Sequence, residues 1–90
     1  MGFALSSVLR NKITLKDGVV QETNFDTYEP TRMSEMPVVE VHIVASTVAP
    51  TGIGEPGVPV IAPAISNAVF AATGRRLRSL PLDLGGLKGV

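Results

Sequence analysis

Apolar residues near the start of the chain recur at helical spacing. Phe3, Ala4, Leu5, Val8 and Leu9 precede Asn11, a residue suited to ending a turn, and together they predict a short helix over residues 3–10. The period then changes to two. Ile13-Thr14-Leu15-Lys16 and Val19-Val20-Gln21 flank Asp17-Gly18, a dipeptide that tolerates the positive φ needed at both central positions of a type I′ turn. A hairpin of residues 12–16 and 19–24 is expected. Residues 25–37 are polar, carry Pro30, Pro37 and Tyr28, and read as an extended connection over the surface.

Residues 38–45 show the best strand pattern in the chain. Val39, Val41, Ile43 and Ala45 fall on one face, and Val38, Glu40, His42 and Val44 on a half-polar other face. From 46 to 63 the sequence loses both periods and carries Pro50, Pro56, Pro59 and Pro63 with Gly52, Gly54 and Gly57, which predicts a long constrained loop. Ile61, Ala64, Ile65, Ala68, Val69 and Ala72 then form a helical stripe. Pro63 is tolerated only in the first turn, so this helix starts near residues 60–62, and Gly74 stands where a left-handed C-cap belongs. Alternation over 77–82 predicts a short final strand, and the Gly-rich 83–90 a frayed, flexible tail. The expected class is α+β: short helix, β-hairpin, third strand, long Gly/Pro loop, packed helix and short final strand, with residues 1–82 folded and 83–90 as the tail.

At 90 residues, with no Cys, no Trp and 4% aromatics, the chain makes one small domain at most, its core built from Val, Ile, Leu and Ala. Such a domain would carry a modest stability of about 4–8 kcal/mol. The absence of Cys excludes a disulfide framework, a thiolate metal site and a Cys nucleophile within this sequence. Eight basic residues balance eight acidic ones, so no overall nucleic-acid footprint exists. The charges are unevenly placed, acidic over 11–60 and basic over 61–90. No signal peptide is legible at the start, and no apolar run approaches the roughly 18 residues that span a bilayer.

Candidate chemistry gathers in the loop. Gly52-Ile53-Gly54-Glu55-Pro56-Gly57 matches G-x-G-x-x-G, but three prolines remove phosphate-binding donors, and Arg75 stands where a dinucleotide fold places an acidic residue. Glu55 has two readings from spacing: a carboxylate that favours the helix start through the dipole, or a base on a preorganised loop. His42, the one histidine, reads as a surface strand residue rather than half of a metal pair with Glu40. Ser66 and Asn67 fall on the polar side of the helix and are expected to meet solvent or a neighbouring domain. Arg75 and Arg76 suit dipole compensation, and Met33 and Met36 gap-filling contacts.

The run from Gly52 through the Ala-rich helix to Pro81 closely resembles the C-terminal end of molybdenum hydroxylases of the xanthine dehydrogenase/aldehyde oxidase family. The similarity is greatest to the branch of isoquinoline 1-oxidoreductase large (β) subunits and related aldehyde dehydrogenases. The opening Gly2-Phe3-Ala4-Leu5-Ser6 and the stretch Met33 to Val44 share the resemblance, which covers about 80 of the 90 residues. It implies a piece of the molybdopterin-binding domain of a large subunit that hydroxylates N-heteroaromatic rings or oxidises aldehydes. In that picture Glu55 is the catalytic base beside the metal, and Gly52 and Gly54 let the backbone pass close to the cofactor. This chain supplies no metal ligand. The implied cofactor is molybdenum with a molybdopterin dinucleotide, in the cytosine form, held in the full-length parent and absent from the isolated chain. The implied partners are the rest of the large subunit and a small iron–sulfur subunit, with no nucleic acid and no membrane span. Alone, the chain would be inactive and its exposed apolar faces open to a second copy of itself. The nearest branch implies a periplasmic parent, the alternative being cytoplasmic. A stand-alone, non-catalytic binding or assembly module with the same fold is the competing reading.

Overall fold

The computed structural model describes residues 1–87. Helix α1, Gly2–Leu9, turns Ala4, Ser6 and Val8 inward. Its Ser6 hydroxyl accepts a bond from the Thr31 N–H at 2.8 Å, and its Val8 carbonyl accepts one from the Leu82 N–H at 2.7 Å. These two bonds draw the connection and the C-terminal segment onto one short helix. Strands β1, Leu15–Lys16, and β2, Val19–Val20, pair antiparallel with Leu15 opposite Val20 and Lys16 opposite Val19. Asp17 at φ 51° and Gly18 at φ 77° make the expected turn, with positive φ at both central positions. Helix α2, Ile61–Thr73, starts where Pro63 permits and ends on Gly74 at φ 72°, whose N–H donates to the Phe70 carbonyl at 2.8 Å. An alanine at Gly18 meets no neighbouring atom, so Gly18→Ala should cost the hairpin only the conformational penalty of a left-handed non-glycine residue, about 1–2 kcal/mol, read as roughly 5–30-fold faster amide exchange at Gln21, whose N–H donates to the Thr14 carbonyl across the hairpin.

The connection between hairpin and loop is tied back by charge. Arg10, just past α1, pairs with Glu29 at 2.8 Å and with Glu35, while the Glu35 carboxylate accepts the Arg32 N–H at 2.9 Å in the 3₁₀ turn Met33–Glu35. Met36 packs its sulfur against Gly2, but Met33 is almost fully exposed and fills no gap.

The small α+β class is as read from the pattern, yet two of its elements are absent. Among the described residues the only sheet is the two-stranded hairpin, so residues 38–45 and 77–82 form no strand. A strand needs a neighbour to take its N–H and C=O groups, and the two-residue β1 and β2 offer 38–45 no edge. Over 77–82 a single ladder-like bond, Leu82 N–H to Val8 C=O, is made, and Pro81 has no donor to give. Beyond it Gly85–Leu87 forms a short 3₁₀ turn; the last part of the expected tail, residues 88–90, lies outside the described residues.

The expected Val/Ile/Leu/Ala core is much smaller than the sequence allows. Among the described residues only Ala4, Val8 and Leu82 are buried apolar side chains. The radius of gyration is 16.4 Å, against about 12 Å for a compact chain of this length. The exposed surface is 7426 Å², where a folded monomer of 9.4 kDa exposes about 5,000 Å². An independent domain of about 4–8 kcal/mol is not what these contacts make.

Candidate functional site

Glu55 sits in an open loop between the unpaired 38–45 segment and α2. The Glu55 carbonyl accepts the Val58 N–H at 2.9 Å, closing one turn ahead of the helix. The side chain is exposed, and among the described residues its carboxylate has no hydrogen-bond or ion-pair partner. Helix α2 has Val60 as its N-cap, no side-chain cap and no acidic residue in its first turn. Glu55 makes no capping bond: its carboxylate belongs to a residue well ahead of Ile61 and touches no helix N–H, so any effect on the helix start would act through the dipole alone.

Gly52, Gly54 and Gly57 face open space, since a Cβ at any of them would meet no atom within 4 Å. Their backbone can be approached by a group from outside the chain, and nothing inside the chain demands glycine there. A shallow hollow is lined by Ile43, Val44, Ala45, Val48, Pro50 and Thr51, and neither Gly52 nor Glu55 lines it. The hollows at Arg10 and at Tyr28 lie on other parts of the chain. No group of three His, Cys, Asp or Glu side chains able to hold a metal ion occurs among the described residues. The loop thus has a free proton acceptor and no ligand set.

The other sequence candidates are placed as follows. His42 Nε2 lies 3.8 Å from Glu40 Oε2, both nearly fully exposed, a surface pair rather than a site. Ser66 is half-buried, and its hydroxyl donates to the Leu77 carbonyl at 2.9 Å, fastening the segment after α2 to the helix. Asn67 accepts from Arg76 at 2.7 Å, and the Arg76 guanidinium lies 3.8 Å over the Phe70 ring. Arg75 donates to the Gly86 carbonyl. Both arginines therefore hold local structure beyond the helix end, and the last turn of α2 itself carries no basic residue.

Pattern reading missed Glu22. Its carboxylate accepts the Thr14 hydroxyl at 2.6 Å and the Thr14 N–H at 2.7 Å, which lowers its pKa from the ordinary 4.5, the hydroxyl bond contributing most. A group with a depressed folded-state pKa stabilises the fold above its unfolded value and loses that contribution as pH falls through the folded one. Amide exchange at Thr14 is accordingly expected to be slow above the ordinary carboxylate value of 4.5 and to accelerate, relative to its intrinsic rate, as the pH falls through the lowered value beneath it. Glu22→Gln should remove that pH response.

Three curated proteins show similarity along most of this chain. It is 40% identical over 80 residues to a membrane-bound aldehyde dehydrogenase [pyrroloquinoline-quinone] of Gluconacetobacter polyoxogenes, covering 89% of this chain and 10% of that protein. It is 41% identical over 78 residues to the β subunit of isoquinoline 1-oxidoreductase of Brevundimonas diminuta, covering 87% of this chain and 10% of that one. The third is a nicotinate dehydrogenase subunit of Pseudomonas putida, 32% identical over 78 residues, 86% of this chain and 7% of that protein. The chain is thus homologous to a segment of oxidoreductases named for aldehydes and nitrogen heteroaromatics, as the Gly52–Pro81 run implied. It spans about a tenth of their length. No family model matches the chain, and no solved structure matches it.

Proposed function

We propose that this chain is the segment of a molybdenum hydroxylase large subunit that supplies the active-site base, Glu55. The observation that carries the reading is the free Glu55 carboxylate on a glycine-lined loop, unused by the helix behind it. The names of the similar proteins support it chemically. Isoquinoline, nicotinate and aldehydes each present an electron-poor carbon beside a ring nitrogen or a carbonyl oxygen. Oxidising such a carbon with oxygen from water releases two electrons and two protons, so the reaction needs an electron acceptor and a base.

The residues present fit one side of such a centre. They offer a base but neither metal ligands nor an enclosing wall, so the molybdenum and its molybdopterin dinucleotide, in the cytosine form, would be held by the rest of the polypeptide. When bound, that group supplies the two-electron acceptor. Gly52 and Gly54 leave room for it beside the loop, and Glu55 accepts a proton as the substrate carbon is attacked. Held on the loop rather than on the metal, the carboxylate stays a base and does not become a ligand. Electrons would leave through a small iron–sulfur subunit, and the isoquinoline and nicotinate relatives, both named as subunits, fit an assembly of several chains.

The aldehyde dehydrogenase relative is named for pyrroloquinoline quinone, which favours a second cofactor class. The two are separated by purifying the full-length oxidoreductase that carries this chain and measuring its metal and extractable cofactor. One molybdenum with one pterin per large subunit is expected; a metal-free enzyme yielding a quinone would contradict the proposal. The compartment proposed for the parent is the periplasm. One relative is named as membrane-bound, while among the described residues no helix is long and apolar enough to cross a membrane.

A further inference from the structure

We propose that residues 38–45 are a β-strand whose sheet lies outside this chain, added to an exposed sheet edge of the remaining oxidoreductase polypeptide. In that arrangement Val39, Val41, Ile43 and Ala45 turn into its core, and Val38, Glu40, His42 and Val44 turn out. The identity of the partner rests on the proposed function; the pairing itself rests on the backbone. Among the described residues, no N–H or C=O of 37–53 bonds to another backbone group of the chain; the one bond made there runs from the Val48 N–H to the Ser46 hydroxyl. Yet six of the eight residues 38–45 are Val, Ile or Ala, and alternate positions give one fully apolar face. Val38 and Ile43 are 92% and 90% exposed. A segment composed to be a strand, with all its ladder groups unpaired, is completed by β-augmentation.

The amount of bare surface identifies the kind of partner. The chain exposes about 2,400 Å² more than a folded monomer of its mass, well above the roughly 800 Å² that each side of a standard interface gives up. Helix α2 adds to the demand. It carries no charged residue, buries none of its side chains fully, and leaves Ala64, Ala68 and Phe70 exposed or half-exposed. Permanent embedding in a larger body accounts for such an excess, and about nine tenths of the length of the similar proteins lies outside the match. The strand and α2 flank the 46–60 loop, so docking both would clamp the loop at its two ends and hold Glu55 in one place.

The test is amide exchange by mass spectrometry on the Brevundimonas enzyme carrying this chain in place of its matched segment, compared with the 90-residue chain alone. Residues 38–45 are expected to exchange near the free-peptide rate in the isolated chain and about 100-fold or more slowly in the assembled enzyme. Because side-chain parity fixes the face, Val41→Lys should abolish the protection or the soluble enzyme, while His42→Lys should keep both. Should the exchanged enzyme fail to assemble, the matched segment of the unaltered Brevundimonas protein gives the same reading. Unprotected amides in the assembled enzyme, or equal effects of the two lysine substitutions, would overturn the proposal. So would protection in the isolated chain that rises with concentration, which would assign the strand to a second copy. A protected strand in an enzyme indifferent to Glu55→Gln would sink the catalytic reading and leave this one standing.

Discussion

Replacing Glu55 by Gln in the assembled oxidoreductase is expected to lower kcat by about 10²–10⁴, the usual scale for losing a positioned base. Cofactor content and melting temperature should stay where they are. The amide is nearly isosteric with the carboxylate, and the Glu55 side chain makes no bond within the chain whose loss would register as stability. The competing outcome is distinct. A carboxylate that acted only through the dipole of α2 would lose about 0.3–1 kcal/mol of stability on the same change and leave turnover intact. Turnover and thermal stability measured on one preparation separate the two.

The 90-residue chain alone is expected to bind no molybdenum and to oxidise neither aldehydes nor N-heteroaromatics. A cofactor of dinucleotide size is normally enclosed over most of its surface, and the Glu55 loop has open space on the side of all three glycines. The same geometry sets the unfolding behaviour. With only Ala4, Val8 and Leu82 buried among the described apolar residues, heating should give a broad transition of low cooperativity rather than a sharp one. Metal analysis and circular dichroism check both statements. Stoichiometric molybdenum in the isolated chain would contradict the first, and a sharp two-state melt the second.

The elements legible in the sequence are those whose physics is local. Asp17-Gly18 fixes its hairpin because both residues accept positive φ, and the 61–73 helix is bounded by its own Pro63 and Gly74. The elements that misled are those that depend on what lies opposite. The 38–45 pattern is a strand pattern, but a ladder is a property of two segments, and the second is not among residues 1–87. Residues 77–82 are drawn instead to α1 and α2, through Leu82 to Val8 and Leu77 to Ser66, bonds that no alternation announces. At the candidate site, Gly52, Gly54 and Glu55 stand out by resemblance rather than by spacing, which leaves capping and catalysis open. The fold shows that the capping bond at the helix start is not made. Glu22 escapes attention because a lone carboxylate after a strand has no motif; its partner Thr14 lies across the hairpin.

The most direct test of the central claim is the pH dependence of kcat/KM in the assembled enzyme, measured side by side for the parent and its Glu55→Gln variant. A base must be deprotonated to work, so kcat/KM of the parent should fall about tenfold for each pH unit on the acid side, and the residual activity of the variant should lose that acid limb. An acid limb of the same slope and position in the Glu55→Gln enzyme would assign the essential base to another residue and contradict the account.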